Sequence, residues 1–199
     1  RFNALQKEEA EQKVVLVGTE RSGPFTVTGV ASDNDALEVS YRALGEDERI
    51  KGASETQYEI KIRLKDDAPV GPISSVVKVT TTAPKAKVVE IKVFGVLRAL
   101  LRVTPPELQF GSIEAAQAPG RNLIVVSNRL GTSVDITDAS IDDPAFTTEV
   151  VSVEKGKRFQ VTVSVKRDAA SGIKNATLVL KTTDPDFPEL KVPVSASIR

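Results

Sequence analysis

Tyr58, Ile60, Ile62 and Leu64 alternate with Glu59, Lys61 and Arg63, and later in the chain Phe159, Val161, Val163 and Val165 alternate with Gln160, Thr162 and Ser164. A period of two puts one set of side chains on a buried face and the other in water, so both stretches read as half-buried strands. Val77 with Val79, Leu178 with Leu180, Ile91 with Val93, and Val192 with Val194 continue the pattern. Turn formers fall between these runs at Gly71-Pro72, Ala83-Pro84, Asp143-Pro144 and Asp184-Pro185. No amphipathic helical stretch of any length interrupts them. The pattern predicts an all-β chain of antiparallel Ig-like sandwiches, with about seven short strands per ~100 residues.

The pattern occurs twice. Lys13–Val39 lies without a gap over Asn122–Thr148 at an offset of 109, matching Phe25 and Val27 with Val134 and Ile136, and Leu37 with Phe146. Tyr58–Arg98 lies over Phe159–Arg199 at an offset of 101, with identities at Asp67 and Asp168, Gly71 and Gly172, Thr81-Thr82 and Thr182-Thr183, Pro84 and Pro185, Val93 and Val194, and Arg98 and Arg199. Two tandem domains follow, residues 1–98 and 99–199. Only Phe2–Leu5 stand where PPELQFGSIEAAQAPG opens the second repeat, so the first strand of the first domain is expected to be clipped. With no initiator Met either, the chain reads as a processed or excised part of a longer protein.

The two offsets differ by eight, which gives the first repeat eight extra residues between Ser40 and Gln57, around GEDERIKG, read as a longer hairpin loop. The seam from Val93 to Val103 is rich in apolar residues and has no Gly/Ser spacer or charge run. A short, stiff joint is expected there, with only Ala99–Thr104 outside both repeat patterns. Pro193 interrupts the last strand, and so either places it at a sheet edge or turns the missing N–H outward. As an edge it would refuse an added strand, whereas its counterpart Lys92 would leave the first repeat's last strand open to one.

Lys+Arg and Asp+Glu number 27 each, and the balance holds on both sides of the seam, 15 against 15 before Ala99 and 12 against 12 from there on. This is not the basic footprint of a nucleic-acid module. Aromatic residues at 5%, with no Trp, supply little for stacking on sugars or bases. Without Cys there is neither a disulfide framework nor a cysteine zinc site. Without His as well, Ser-His-Asp and Cys-His arrangements are excluded within these residues. No P-loop or dinucleotide fingerprint occurs, and no run approaches the ~18 apolar residues of a membrane span. We expect no catalytic residues, no cofactor, no enzymatic activity and no membrane insertion.

The second repeat reads PPELQFGSI, then LIVVSN, then DDPAF, and finally TTDPDFPELKVPV. This resembles the Ig-like domains of the abnormal-spindle and hydin type, and the bacterial tandem β-domains that share their pattern. The residues that carry the resemblance are Pro106, Phe110, Gly111, Ile113, Asn128, Phe146, Asp184, Pro185, Pro188, Val192 and Val194. The first repeat follows by its likeness to the second and departs from the pattern at Thr19, Ala83 and Lys87. The resemblance implies a seven-stranded sandwich, distantly like major sperm protein and pilus-chaperone domains, used as a scaffold or binding module without catalytic residues. It spans bacterial exported proteins and eukaryotic ciliary or centrosomal ones. Export to the periplasm or cell surface is the expectation, with a cytoplasmic or ciliary scaffold as the other setting.

Candidate sites are few. Asp33 and Asp35 in one repeat, and Asp142 and Asp143 in the other, bring acids to the same loop. A Ca²⁺ site would need about six to eight oxygens, and Asp is also an ordinary turn former. Asp184 and Asp186 flank Pro185 where the first repeat has only Ala83-Pro84-Lys85, which points to structure rather than chemistry. Glu46, Asp47, Glu48 and Arg49 in the insertion form the candidate interaction loop, with a solvated loop of mixed charge as the plainer reading. Asn175-Ala176-Thr177 is a glycosylation sequon of low specificity. The reading these support is a non-catalytic module that spaces or binds protein partners. The alternative is an extracytoplasmic adhesion domain that binds glycan or Ca²⁺ through its end loops, with an assembly-chaperone role third.

Overall fold

The computed structural model describes residues 1–19, 23–117 and 119–199. The aligned stretches Lys13–Val39 and PPELQFGSIEAAQAPG therefore each include positions outside the described residues. The chain divides into two units, Arg1–Ala99 and Leu100–Arg199.

In the first unit the alternating runs form β1 (Phe2–Leu5), β2 (Glu11–Val17), β3 (Val27–Ser32), β4 (Leu37–Ala43), β5 (Gln57–Leu64), β6 (Gly71–Thr81) and β7 (Val88–Arg98). One sheet has the order β1-β7-β6-β3 and the other β2-β5-β4. Their inner faces meet in a core that includes Ile60, Ile62, Val77, Val79 and Val93. Each such side chain, taken fully out of water, contributes about 1.5–3 kcal/mol.

The second unit contains β8 (Leu101–Thr104), β9 (Leu108–Ile113), β10 (Arg121–Ser127), β11 (Ile136–Ile141), β12 (Phe146–Glu154), β13 (Arg158–Val165), β14 (Gly172–Thr182) and β15 (Glu189–Ile198). The sheets run β11-β14-β15-β9 and β12-β13-β10-β8. The core includes Leu123, Val161, Val163, Leu178 and Val194. Both units are Ig-like sandwiches, as the alternation predicts.

Four points differ from the sequence reading. First, the pairing is not antiparallel throughout, because β1 pairs parallel with β7 and β9 parallel with β15. Where seven strands alternate in direction, the first and the seventh point the same way. Bringing them side by side makes that pair parallel.

Second, the opening stretch of the second unit is two strands rather than one. β8 lies against β10 in one sheet, Pro105 and Pro106 carry the chain across, and β9 lies against β15 in the other sheet. Prolines have no N–H to leave unpaired at such a crossing. Leu101–Thr104 therefore belong to the second unit, and only Ala99 and Leu100 lie between β7 and β8.

Third, the last strands are edges over only part of their length. β1 pairs with β7 from Gly95 to Arg98 and β9 with β15 from Val194 on, so Lys92 and Pro193 themselves have no strand on that side among the described residues. Pairing of β15 with β9 begins one residue later, at Val194 and Leu108, so the missing N–H costs no bond to β9.

Fourth, Phe2 corresponds to Phe110, but Gly111, at φ +73°, adds a bulge to β9 that β1 lacks. The bulge has a counterpart on the neighbouring strand. At Gly95 in β7 a Cβ would sit 2.3 Å from the carbonyl oxygen of Phe2, while the matching residue of β15 is Ala196, which lies where the β9 ladder skips. A methyl group is accommodated beside the bulged strand and not beside the straight one. Within the apolar seam, Val93 and Leu97 turn into the first core, while Phe94 is 55% exposed.

Gly95→Ala is accordingly expected to destabilise the first unit by about 1–3 kcal/mol through overpacking. Ala196→Gly in the second unit is expected to cost only about 1 kcal/mol. Urea unfolding of the two variants checks the difference.

Candidate interaction sites

The acid-bearing turns are built the same way in both units. After β3, the Asp33 carboxylate accepts from Ser75 Oγ at 2.7 Å and from the Val76 N–H at 2.9 Å. These bonds hold its pKa below the ordinary value, the Ser75 hydroxyl contributing most. Asp142, its counterpart after β11, accepts from the Thr177 N–H at 2.8 Å. The next residue repeats the correspondence, for Asn34 Oδ1 accepts from the Ala36 N–H at 2.9 Å and Asp143 Oδ1 from the Ala145 N–H at 2.8 Å.

These residues fasten the β3–β4 and β11–β12 turns to β6 and β14. Asp35 stands exposed in the first turn, where the second has Pro144. Among the described residues no group of three or more His, Cys, Asp or Glu side chains is placed to hold a metal ion.

The turn before the last strand is organised by a threonine. Thr81 Oγ1 accepts from the Ala83 N–H at 3.1 Å and donates to the Ala86 carbonyl at 2.6 Å. Thr182 Oγ1 accepts from the Asp184 N–H at 3.0 Å and donates to the Phe187 carbonyl at 2.6 Å. The turn thus forms with or without the acid, and in the second unit Asp184 adds something else. Its side chain, 1% exposed as a residue, accepts from Arg129 Nε at 2.5 Å and Arg129 Nη2 at 2.9 Å, and from the Asp186 and Phe187 N–H groups. Asp186 joins Arg129 on its outer side.

Arg129 was not singled out by the sequence. It lies 55 residues from Asp184, and its counterpart in the first unit, Glu20, lies outside the described residues. Its guanidinium is the main cause of the lowered pKa of Asp184, and the two carboxylates in turn raise that of Arg129.

The insertion between β4 and β5 is folded back on its own hairpin. Glu46–Glu48 make a single 3-10 turn, and Glu48 takes two bonds from Arg42, at 2.6 and 2.8 Å, plus one from the Gly45 N–H at 3.2 Å. Glu46 and Asp47 stand exposed, while Arg49 Nε donates to the Leu44 carbonyl at 3.3 Å. The far side of the loop is held by Gln57, a buried residue whose Oε1 accepts from the Ile50 N–H at 2.8 Å and whose Nε2 donates to the Ile50 and Ser54 carbonyls. In the sequence Gln57 marked only the end of the insertion, because a side chain that satisfies a loop backbone leaves no periodic mark.

Arg42 also donates to Glu59 at 3.2 Å, and Glu59 and Glu11 reach Lys13 and Lys61. The outer face of the β2-β5-β4 sheet is therefore a net of opposite charges. The matching face in the second unit presents Gln160, Thr162 and Ser164 on β13. Asn175 of the sequon is exposed in the middle of β14.

No protein-family model matches this sequence, and no curated protein matches it either. Among solved structures, a protein of unknown function from Porphyromonas gingivalis W83 is similar over 98% of this chain and 94% of its own, at 13% identity and a TM-score of 0.43. Mouse clustered PcdhgC3 EC1-3 is similar over 82% of this chain and 54% of its own, at 14% identity and a TM-score of 0.38. Domains 4 and 5 of the S-layer protein SbsC are similar over 90% of this chain and 80% of their own, at 16% identity and a TM-score of 0.33. All are likenesses at low identity and low TM-score.

Asp184→Ala is expected to lower the stability of the second unit by about 2–3 kcal/mol, since it leaves a partly buried guanidinium with one outer partner. The lowered pKa makes the contribution of Asp184 full above the unfolded carboxylate range of ~3.9 and lost as pH falls through the folded value. The gap between the parent and Asp184→Asn therefore closes on acidification, as thermal melts across pH 7 to about 2 would show.

In the first unit the Glu48 carboxyl, lowered to about 2 chiefly by Arg42, is expected to titrate well below the ordinary carboxylate range, and the insertion to keep its bonds until that pH is reached. Carboxyl-carbon NMR titration reads the group, and Arg42→Ala should return Glu48 to the ordinary range.

Proposed function

We propose that the chain is a non-catalytic structural and interaction module: tandem Ig-like domains of a longer, exported or cell-envelope protein that space and bind protein partners. The observation that carries this reading is the use to which the chemically capable side chains are put. Asp33, Asp142, Asp143 and Asp184 are bonded to backbone or to Arg129, and Glu48 is bonded to Arg42, so each holds a turn or loop in shape.

The two units share one framework of such bonds and differ in the β4–β5 loop, a feature that varies when a scaffold is adapted to partners. Only Ala99 and Leu100 separate β7 from β8, and this supports a spacer with little freedom at the joint. Within the class, the abnormal-spindle and hydin-type reading is supported by the places its motif residues take. Phe110, Phe146, Val192 and Val194 lie in the second core, and Asp184-Pro185 sits in the threonine-held turn.

The spacing role is tested by placing one spin label on exposed Ser40 and another on exposed Thr147, and measuring their separation by pulsed dipolar spectroscopy. A single narrow distance distribution is expected. A broad one, spanning much of the accessible range, would overturn the spacer reading.

A further inference from the structure

One sheet edge is open in both units and guarded in only one of them. β4 ends the β2-β5-β4 sheet, and its counterpart β12 ends the β12-β13-β10-β8 sheet. The open side of β2 is the place that β8 takes beside β10. Among the described residues no strand of the second unit lies outside β12, so an open edge at β4 belongs to the strand order that the units share. Bulges and prolines commonly guard such edges. β12 carries a register shift between Ser152 and Glu154, whereas β4 pairs with β5 in unbroken register from Leu37 to Ala43 and contains no proline.

The direction of the free backbone groups follows from the ends of β4. Leu44 donates its N–H to the Gln57 carbonyl, and the Ala36 carbonyl accepts from the Lys65 N–H, both on the β5 side. Alternation along an antiparallel strand then turns the groups of Glu38, Ser40 and Arg42 toward β5 and those of Val39, Tyr41 and Ala43 toward the open side. The Leu37 carbonyl faces the open side as well, while its N–H donates to the Asn34 carbonyl in the turn.

The side chains follow the pleat. Val39 and Tyr41 share the face of the buried Ile62 and Ile60, with Tyr41 40% exposed at the rim beside Tyr58. Glu38, Ser40 and Arg42 are exposed on the outer face, which is laid out in rows across the strands. One row runs Glu11, Arg63, Glu38, the next Lys13, Lys61, Ser40, and the next Val15, Glu59, Arg42. At the β4 edge the rows end in a negative, a neutral and a positive residue, with Ser40 in the middle.

We propose that β4 is the docking site for a second copy of this chain, paired antiparallel to the copy's β4 about a two-fold axis at Ser40. This rests on the reading of the chain as an interaction module and gives that module a partner, itself. In this register Val39 and Tyr41 exchange N–H···O bonds with the copy's Tyr41 and Val39, and the Ala43 N–H reaches the copy's Leu37 carbonyl, so outward groups meet outward groups. Glu38 lies opposite the copy's Arg42 and Arg42 opposite the copy's Glu38, the favourable arrangement of charges across a strand pair. The row Glu11, Arg63, Glu38 then continues into the copy's Arg42 and Glu59 with alternating sign. Arg42 gives three of its five N–H groups to Glu48 and Glu59, which leaves two for the copy's carboxylate.

A register moved two residues either way sets Ser40 against Glu38 or against Arg42 and loses both charge pairs. The strand that complements β4 is thus β4 read backwards, and this singles out a second copy among extended partners. In β12 the residue matching Ser40 is Glu149, three after Phe146 as Ser40 is three after Leu37. The same pairing there would set Glu149 against Glu149, and like charges directly opposite are unfavourable. The site belongs to the first unit.

Sedimentation of the whole chain from about 10 µM to about 1 mM reads the association. A reversible monomer–dimer equilibrium is expected, with Kd on the order of 100 µM for one short, solvent-open strand contact. Amide exchange at Val39 and Tyr41 should slow as the concentration rises. Tyr41→Pro removes an outward N–H without taking a bond from β5 and should weaken the dimer at least about tenfold. Ser40→Glu and Ser40→Lys each set like charges on the axis and should each weaken it about fivefold, while the two variants mixed in equal amounts should pair at least as well as the parent. If Tyr41→Pro fails to fold, the two substitutions at exposed Ser40 carry the test.

The proposal is overturned by a monomer up to about 1 mM, by dimers that Tyr41→Pro leaves unchanged, or by Ser40→Glu and Ser40→Lys chains that pair alone as well as they do mixed. Val39 and Tyr41 amides already protected at the lowest concentration overturn it equally. Spin-labelled chain diluted into an excess of unlabelled chain reports one copy at a time, so the spacer measurement is independent of pairing. A narrow distance there with a monomer here removes only this site, and a broad distance with a β4 dimer removes only the spacer.

Discussion

An open β-sheet cannot satisfy its outermost backbone groups internally, and this constraint governs how both sandwiches are assembled. Two sheets packed face to face have four edges. The first and last strands meet in parallel pairs, β1 with β7 and β9 with β15, which cover β7 from Gly95 to Arg98 and β15 from Val194 on. That closure calls for close approach of backbones, which the units reach differently, through Gly95 in one and through a bulge at Gly111 beside Ala196 in the other. Register shifts disrupt β3, β11 and β12. β2 and β4, the two edges of the first unit's other sheet, each pair with β5 in unbroken register.

Within this frame the polar side chains act mainly on turns. A threonine at the end of β6 or β14 satisfies both sides of the following turn in each unit. An Asp after β3 or β11 reaches the neighbouring strand's backbone. These bonds are worth about 1 kcal/mol each net, but leaving one of their buried donors unmet costs more. The Arg129–Asp184 pair stands apart because Asp184 lies in the interior. There a salt bridge serves mainly to avoid an isolated charge, and removing one partner is costly whatever the pair contributes by itself.

How much of this could be read from the sequence depended on whether a feature leaves a periodic mark. The alternation at Tyr58–Leu64 and Phe159–Val165 located strands and their buried faces, because period two is imposed by the pleat itself. The offsets matched turn to turn and even bond to bond, so that Asp33 and Asp142 hold equivalent N–H groups. Leu101–Thr104 is only four residues long, too short for alternation to stand out from an apolar linker, and so it was not recognised as a strand. Local pattern could not choose between the two readings of Pro193, because strand order is a long-range property that it does not encode. Arg129 and Gln57 escaped notice for the same reason, since their partners are distant residues or loop backbone.

The differences between the units gather on one sheet. The β1-β7-β6-β3 and β11-β14-β15-β9 sheets have the same order, pairing sense and turn bonds. The β2-β5-β4 sheet, by contrast, has an elaborated β4–β5 connection clamped by Arg42 and Gln57, and a charged outer face from Glu11 to Glu59. Surface ion pairs of this kind add little stability, typically about 0–1 kcal/mol each. Their placement is therefore better understood as shaping a surface than as holding the fold.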